Sequence, residues 1–225
     1  MKTVRYVTAF SLIAILVSSA SGGQFLLDFA GDGANSAGVA AGWDGINNLE
    51  QDAPFSLTDR SGAGDDDVTL TAIDDSFDPN NPAGPGVGSV FDGITVPKEA
   101  VDDYFFKRDD TAGTTARMRI DNLDAGLYNV TVFEGRTTDS GQFAKLWVGD
   151  GAGSGIPDSE NTGSFAQGSS TLSLAVGAGD VLWYQHLEDN SGGISGMIIN
   201  QVPEPGSAVL AIVGLFGLLA VRRRR

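Results

Sequence analysis

The chain has one histidine, His186, in the run Val181-Leu182-Trp183-Tyr184-Gln185-His186. An imidazole can act as a general base near neutral pH, but catalysis needs a nucleophile or second ligand beside it. Ser195 is the obvious nucleophile to test, within Gly193-Ile194-Ser195-Gly196-Met197. The strained nucleophile elbow requires glycine at the fifth place, and methionine stands there. The stretch Gly149-Asp150-Gly151-Ala152-Gly153-Ser154-Gly155 lacks the Gly-Lys-Ser/Thr ending of a phosphate loop, so it reads as a surface turn. The absence of cysteine removes thiol nucleophiles, disulfides and thiolate-bound zinc. No catalytic residue is assigned, and His186 reads as structural.

Carboxylates are plentiful. Asp and Glu number 29 against 14 Lys and Arg, a net charge of −15 over 225 residues. That excludes a nucleic-acid binder, which needs a basic face. Two loops concentrate oxygen donors: Asp65-Asp66-Asp67, and Asp74-Asp75-Ser76-Phe77-Asp78-Pro79-Asn80-Asn81-Pro82. In the second, Asp74, Asp75, Asp78 and Asn80 are candidate calcium ligands, because a hard cation relieves the repulsion among crowded acids. The spacing is not that of an EF-hand, and a solvated acidic loop is the competing reading. Three tryptophans offer rings that can stack on sugar faces. Trp147 and Trp183 sit in alternating strands, where core packing is the usual role. Trp43, in a Gly/Asn-rich stretch, is the candidate ligand-binding ring. A glycosidase would need two carboxylates about 5 to 9.5 Å apart across a cleft. A secreted carbohydrate-active hydrolase is therefore the alternative to a non-catalytic binding or structural protein.

The elements that would carry these residues are short strands flanked by Gly, Asp, Asn or Pro. They are read at 24–29, 55–59, 68–73, 104–106, 116–120, 127–135, 142–148, 170–176, 181–187 and 194–202. Val68, Leu70 and Ala72 alternate with Thr69, Thr71 and Ile73. Met118 and Ile120 alternate with Arg117 and Arg119, and Leu172, Leu174 and Val176 with Thr171, Ser173 and Ala175. A period of two places one face in a core and one in water, as in an antiparallel sheet. The only short helix predicted is 98–104, after Pro97. The fold class is all-β: an antiparallel, jelly-roll-like β-sandwich spanning residues 23–201.

Several segments carry a resemblance. They are Leu27-Asp28-Phe29, Trp43-Asp44, Phe91-Asp92-Gly93, Asp103-Tyr104-Phe105-Phe106, the run from Asn122 to Phe133, and Ser195-Gly196-Met197-Ile198-Ile199. Together they resemble galactose-binding-like jelly-roll domains. Ligand loops vary in such folds, so the resemblance assigns no binding residue.

The ends read differently. Lys2 and Arg5 precede an apolar run, Tyr6 to Val17, and then Ser18-Ser19-Ala20-Ser21-Gly22. A basic start, a short apolar stretch and small residues make a secretory signal peptide over residues 1–22, cut after Ala20. At the far end, Val202-Pro203-Glu204-Pro205-Gly206 leads into an uncharged apolar run, Ser207 to Val221, and then Arg222, Arg223, Arg224 and Arg225. As a helix, 207–221 would extend about 22 Å, and arginines that snorkel can make up the shortfall against a hydrocarbon core of roughly 30 Å. The four arginines act as a stop-transfer signal on the cytoplasmic side.

This order over residues 202–225 resembles the PEP-CTERM sorting signal of exported bacterial proteins. The resemblance implies an exosortase as processing partner, with Pro203, Glu204 and Pro205 as the processing motif. It also implies the export machinery, a transient inner-membrane intermediate, and delivery to the cell surface or an exopolysaccharide-rich matrix. Between Gly23 and Val202 there are 8 basic and 28 acidic residues, so the delivered body carries −20. The reading is an exported, non-catalytic structural or carbohydrate-binding protein.

Overall fold

The computed structural model describes residues 22–29, 38–47, 49–62, 67–74, 77–80, 90–91, 93–97, 99–101, 104–107, 116–134, 144–156, 169–186 and 193–203. The predicted signal peptide (save Gly22), Glu204, Pro205, the span 207–221 and the four terminal arginines lie outside these residues. The chain separates into two units, Gly23–Val202 and Met1–Gly22 with Pro203–Arg225. The first is the sandwich. Among the described residues no helix is long and apolar enough to cross a membrane.

The described residues form fourteen strands in chain order: β1 Gln24–Asp28, β2 Asp44–Gly45, β3 Pro54–Ser56, β4 Thr69–Ala72, β5 Phe77–Asn80, β6 Val90–Phe91 and β7 Ile94–Thr95. After a 3₁₀ turn at Glu99–Val101 come β8 Tyr104–Lys107, β9 Ala116–Asp121, β10 Gly126–Glu134, β11 Ala144–Gly149, β12 Ser169–Val176, β13 Val181–His186 and β14 Gly193–Gln201. The first sheet runs β12-β10-β14-β1-β2, with β8 on β14 and β5 on β8. The second runs β11-β13-β9-β4-β3, and β6 and β7 form a ribbon. Every pairing between strands is antiparallel except the short β1–β2 contact.

The main core fills the space between the sheets. Phe25 and Leu27 of β1, Tyr128 and Val130 of β10, and Met197 and Ile199 of β14 meet Leu70 of β4, Met118 and Ile120 of β9, and Leu182 and Tyr184 of β13. These are the alternate positions of their strands, so the period-two pattern translates directly into an inner face. Tyr128 is fully buried, and its hydroxyl donates to the Asp124 carbonyl at 2.9 Å. A second core lies on the outer face of the first sheet, where Leu26, Phe133 and Ile198 are covered by Ala40, Trp43, Val96 and Ala100.

All ten predicted strands are present, with ends within three residues of those expected; the predicted residues 135, 142, 143 and 187 lie outside the described residues. Four short strands are additional: β2, β5, β6 and β7. The predicted helix 98–104 contracts to the 3₁₀ turn, and Tyr104 opens β8. The loop from which calcium ligands were drawn contains β5, which pairs Phe77 with Lys107 and Asn80 with Tyr104. Asp, Pro and Asn are depleted in strands, and Pro79 is tolerated because β5 pairs on one side only among the described strands.

The outer core seats on the sheet through Gly196. A methyl there would meet the Ala100 carbonyl oxygen at 2.9 Å, the Leu27 carbonyl oxygen at 3.1 Å and Phe133 Cδ2 at 3.2 Å. Two of these neighbours are backbone and cannot rotate away. Gly196→Ala is expected to cost about 1–3 kcal/mol, lowering Tm by roughly 2–12 °C. Thermal unfolding of the 23–202 body measures it, and an unchanged Tm would contradict this packing.

Candidate functional site

The outer face of the second sheet holds the most concentrated polar chemistry among the described residues. In the cross-strand register Trp147 of β11 lies opposite Trp183 of β13, which lies opposite Arg119 of β9, which lies opposite Thr71 of β4. The two indoles stack with centroids 5.7 Å apart and planes 10° from parallel. Both are nearly buried, at 3% and 2% exposure, in a small cluster with Val181. Their cover is the Gly-rich segment after β11. Gly153, at φ +78°, lets the backbone pass over Trp183, where a Cβ would sit 3.3 Å from the ring.

Asp150 organises that segment. Its Oδ1 accepts the backbone N–H groups of Ala152 and Ser154, each at 3.0 Å. Its carbonyl oxygen accepts the Gly153 N–H at 2.9 Å and the Trp183 indole N–H at 3.0 Å. The Ser154 backbone N–H and then the Ser154 hydroxyl hold the Asp150 carboxyl below its ordinary value of 3.8; desolvation opposes them, and the Ala152 and Gly153 N–H groups add lesser support. Arg119 braces the same loop. Its Nη1 donates to the Gly151 carbonyl at 3.1 Å, and its Nε lies 3.0 Å from Asp121 Oδ2.

Next to this loop is an open groove of about 540 Å³ lined by Asp67, Arg119, Asp121, Asn122, Leu123, Asp124, Gly151, Gly179, Asp180 and Val181. Asn122 adopts φ 66°, one of two non-glycine residues with positive φ among the described residues, and its Nδ2 donates to the Asp67 carbonyl at 3.0 Å. Asp180 closes the β12–β13 turn by accepting the Gly177 N–H at 2.9 Å. Four carboxylates, one amide and one guanidinium thus share a concave surface. Such a lining can accept several hydroxyl protons and donate to sugar oxygens.

The candidates named from sequence are placed differently. Trp43 is 7% exposed and packs on Phe133 with centroids 6.5 Å apart, so it is a core residue with no open face for a sugar. This corrects the loop-ring expectation: partners distant in sequence bury it. Asp74 is committed to Arg117. It accepts Arg117 Nε at 2.9 Å, Nη2 at 3.1 Å and the backbone N–H at 3.1 Å. That contact, first through the side-chain hydrogen bonds, raises the Arg117 pKa above its ordinary value. Asp75 lies outside the described residues, and Asp78 and Asn80 are described only as backbone positions of β5. Among the described residues no group of three or more His, Asp or Glu is placed to hold a metal ion. His186 is 2% exposed with Nδ1 3.4 Å from the Tyr184 hydroxyl, while fully buried Ser195 stands in the other sheet.

Sequence reasoning missed Arg119, Asp121, Asn122, Asp124 and Asp180 as a group. The one local signal was the Arg119-x-Asp121 spacing, which puts opposite charges on the same wet face of a strand.

The family model of the PEP-CTERM protein-sorting motif matches residues 201–225. The chain therefore carries a sorting signal of exported proteins that are processed by an exosortase. No curated protein sequence matches the chain. Similar solved structures include a protein of Bacillus subtilis, with 16% identity and a TM-score of 0.44, covering 80% of this chain and 40% of its own. They also include the CBM35 of Paenibacillus barcinonensis, with 13% identity and a TM-score of 0.31, covering 60% of this chain and 99% of its own. The chain thus spans 40% of the length of the Bacillus subtilis protein.

The Asp150 carboxyl makes the loop acid-sensitive. A carboxylate whose pKa is lowered by folding contributes fully above its ordinary value of 3.8 and loses that contribution as pH falls through the lowered pKa. Indole emission is expected to hold steady from pH 7 to about 4 and to shift below it. Asp150→Ala should show the shifted emission already at pH 7. Fluorescence titration of both proteins checks this, and a transition above pH 4 in the unaltered protein would contradict it.

Proposed function

We propose that this chain is a non-catalytic protein of the cell surface or extracellular matrix that binds polysaccharide through the groove beside the Trp147–Trp183 pair. The supporting observation is that groove's lining, in which Asp67, Asp121, Asn122, Asp124 and Asp180 surround a braced Arg119. Hydroxyl-rich ligands are recognised by convergent acceptors and donors on a rigid surface, and the loop tied by Asp150 supplies that rigidity. The sorting motif supports a site of action outside the cell. The Arg119 Nη1 bond to the Gly151 carbonyl ties the guanidinium to the loop beside the groove, with Asp121 as its nearby counter-charge.

The second reading, a secreted carbohydrate-active hydrolase, is favoured by four aspartates lining one groove. The same experiment separates the two. The 23–202 body is titrated against the producer's own polysaccharide and a glycan array, with reducing-end release followed in parallel. Binding without release supports the proposal, and release of reducing ends establishes the hydrolase. Arg119→Ala and Asn122→Ala should each weaken binding about tenfold, as expected for a lost charge-assisted or amide hydrogen bond, and retention of full affinity would exclude the groove.

Exosortase processing also has a direct readout. The protein isolated from the envelope or matrix is expected to lack the apolar and arginine-rich segment, residues 206–225. Intact-mass measurement tests it, and a mature form that retains that segment would contradict processing at the motif.

A further inference from the structure

The last strand of the sandwich runs directly into the processing motif. Gln201 is the final residue of β14, Val202 follows it, and Pro203 is exposed. Hydrogen bonding persists to this boundary. The Gln201 N–H donates to the Gly23 carbonyl at 2.8 Å, and the Gly23 N–H donates back to Gln201 Oε1 at 2.9 Å. On the other side of the strand, the Val202 N–H donates to the Leu127 carbonyl at 2.7 Å. The Gln201 amide reaches the Ala125 carbonyl at 3.4 Å. The Gly23 side of this clamp is itself fixed, since the Gln24 N–H donates to Asp59 Oδ1 at 3.0 Å and the Gln24 carbonyl accepts the Arg60 N–H at 2.7 Å. No spacer separates the sheet from Pro203.

An extended peptide is commonly recognised by strand addition, in which its main-chain N–H and C=O groups must be available to pair with the partner. Here the residues on the amino side of the motif already spend those backbone groups inside the sheet. We infer that the Gly23–Gln201–Leu127 clamp gates exosortase processing: β14 must release Gln201 and Val202 before the motif enters the enzyme. The rate then follows the population in which this strand end is open, as for any cleavage slower than reclosing. The partner that the clamp meters is the exosortase, so the inference rests on that processing. It adds that the enzyme samples a folded body whose first and last strands are zipped together. The predicted signal-peptide cut after Ala20 leaves only Ser21 and Gly22 before Gly23, so along the sequence both maturation points fall next to one hydrogen-bonded pair.

The test follows conversion of the full-length precursor to the mature form by pulse-chase in the exporting cell. Gln201→Ala removes the side-chain bonds and is expected to speed conversion roughly two- to tenfold, the change in open population that one lost hydrogen bond produces. Gln201→Glu keeps the acceptor for the Gly23 N–H but loses the donor to the Ala125 carbonyl, and should convert at a rate between those of the unaltered chain and Gln201→Ala. A Gly-Ser-Gly-Ser insertion after Val202 should convert fastest and be insensitive to Gln201→Ala. The Tm of each mature body identifies any general loss of folding. Equal rates for the unaltered chain, Gln201→Ala and the insertion overturn the gate while leaving processing intact. A precursor that persists in every variant overturns the processing itself, and the gate with it.

Discussion

The last strand of the body to be made is the strand on which the first sheet is built. Between Gly196 and Asn200, β14 is bonded to β1 on one side and β10 on the other. Its Met197 and Ile199 enter the main core, and Ile198 anchors the outer one. A strand buried on both faces and paired on both edges is the costliest to leave out. The pairing of Gln24 with Asn200 joins residues at opposite ends of the body. Such long-range closure is entropically expensive and slow to form. The first sheet is therefore completed only when the whole body has emerged on the far side of the membrane, which suits a chain whose sorting motif marks it for export.

Without cysteine, stability outside the cell has to come from burial and pairing. The sandwich meets this with two cores on either side of the first sheet and with charges taken up locally. Arg117 locks Asp74, Arg60 pairs with Asp44, and Arg119 with Asp121. Asp28 is fully buried and accepts the Ala40 N–H at 2.7 Å, so a carboxylate within the sheet fastens the segment that carries Trp43. Among the described residues Glu50, Asp52, Asp67, Asp124 and Asp150 are exposed, and a net charge far from zero favours solubility.

Much of the fold was legible because alternation reports one wet and one dry face. Met118 and Ile120 face the core, and Arg117 and Arg119 are partly exposed. Leu172 and Leu174 pack on the core while Thr171 and Ser173 are exposed. Legibility failed where burial came from distant partners. All of β13 is buried, and on its outer side the Asp150 loop, far along the chain from β13, covers Trp183. Trp43 sits among residues typical of loops, yet Phe133 and Ile198, far along the chain, enclose it. The groove was illegible for the same reason. It draws on Asp67, the β9–β10 turn, the β11 loop and the β12–β13 turn, which only the register of the second sheet brings together.

Gly23 and Gln201, at the two ends of the body, exchange hydrogen bonds through Gly23 N–H and its carbonyl. A body whose ends meet is a cassette. It can be placed within another chain, repeated in tandem or circularly permuted with only a short joint, because entry and exit share one corner. The same geometry lets a lineage exchange the segment after Val202 or the segment before Gly23 without altering a residue of either core.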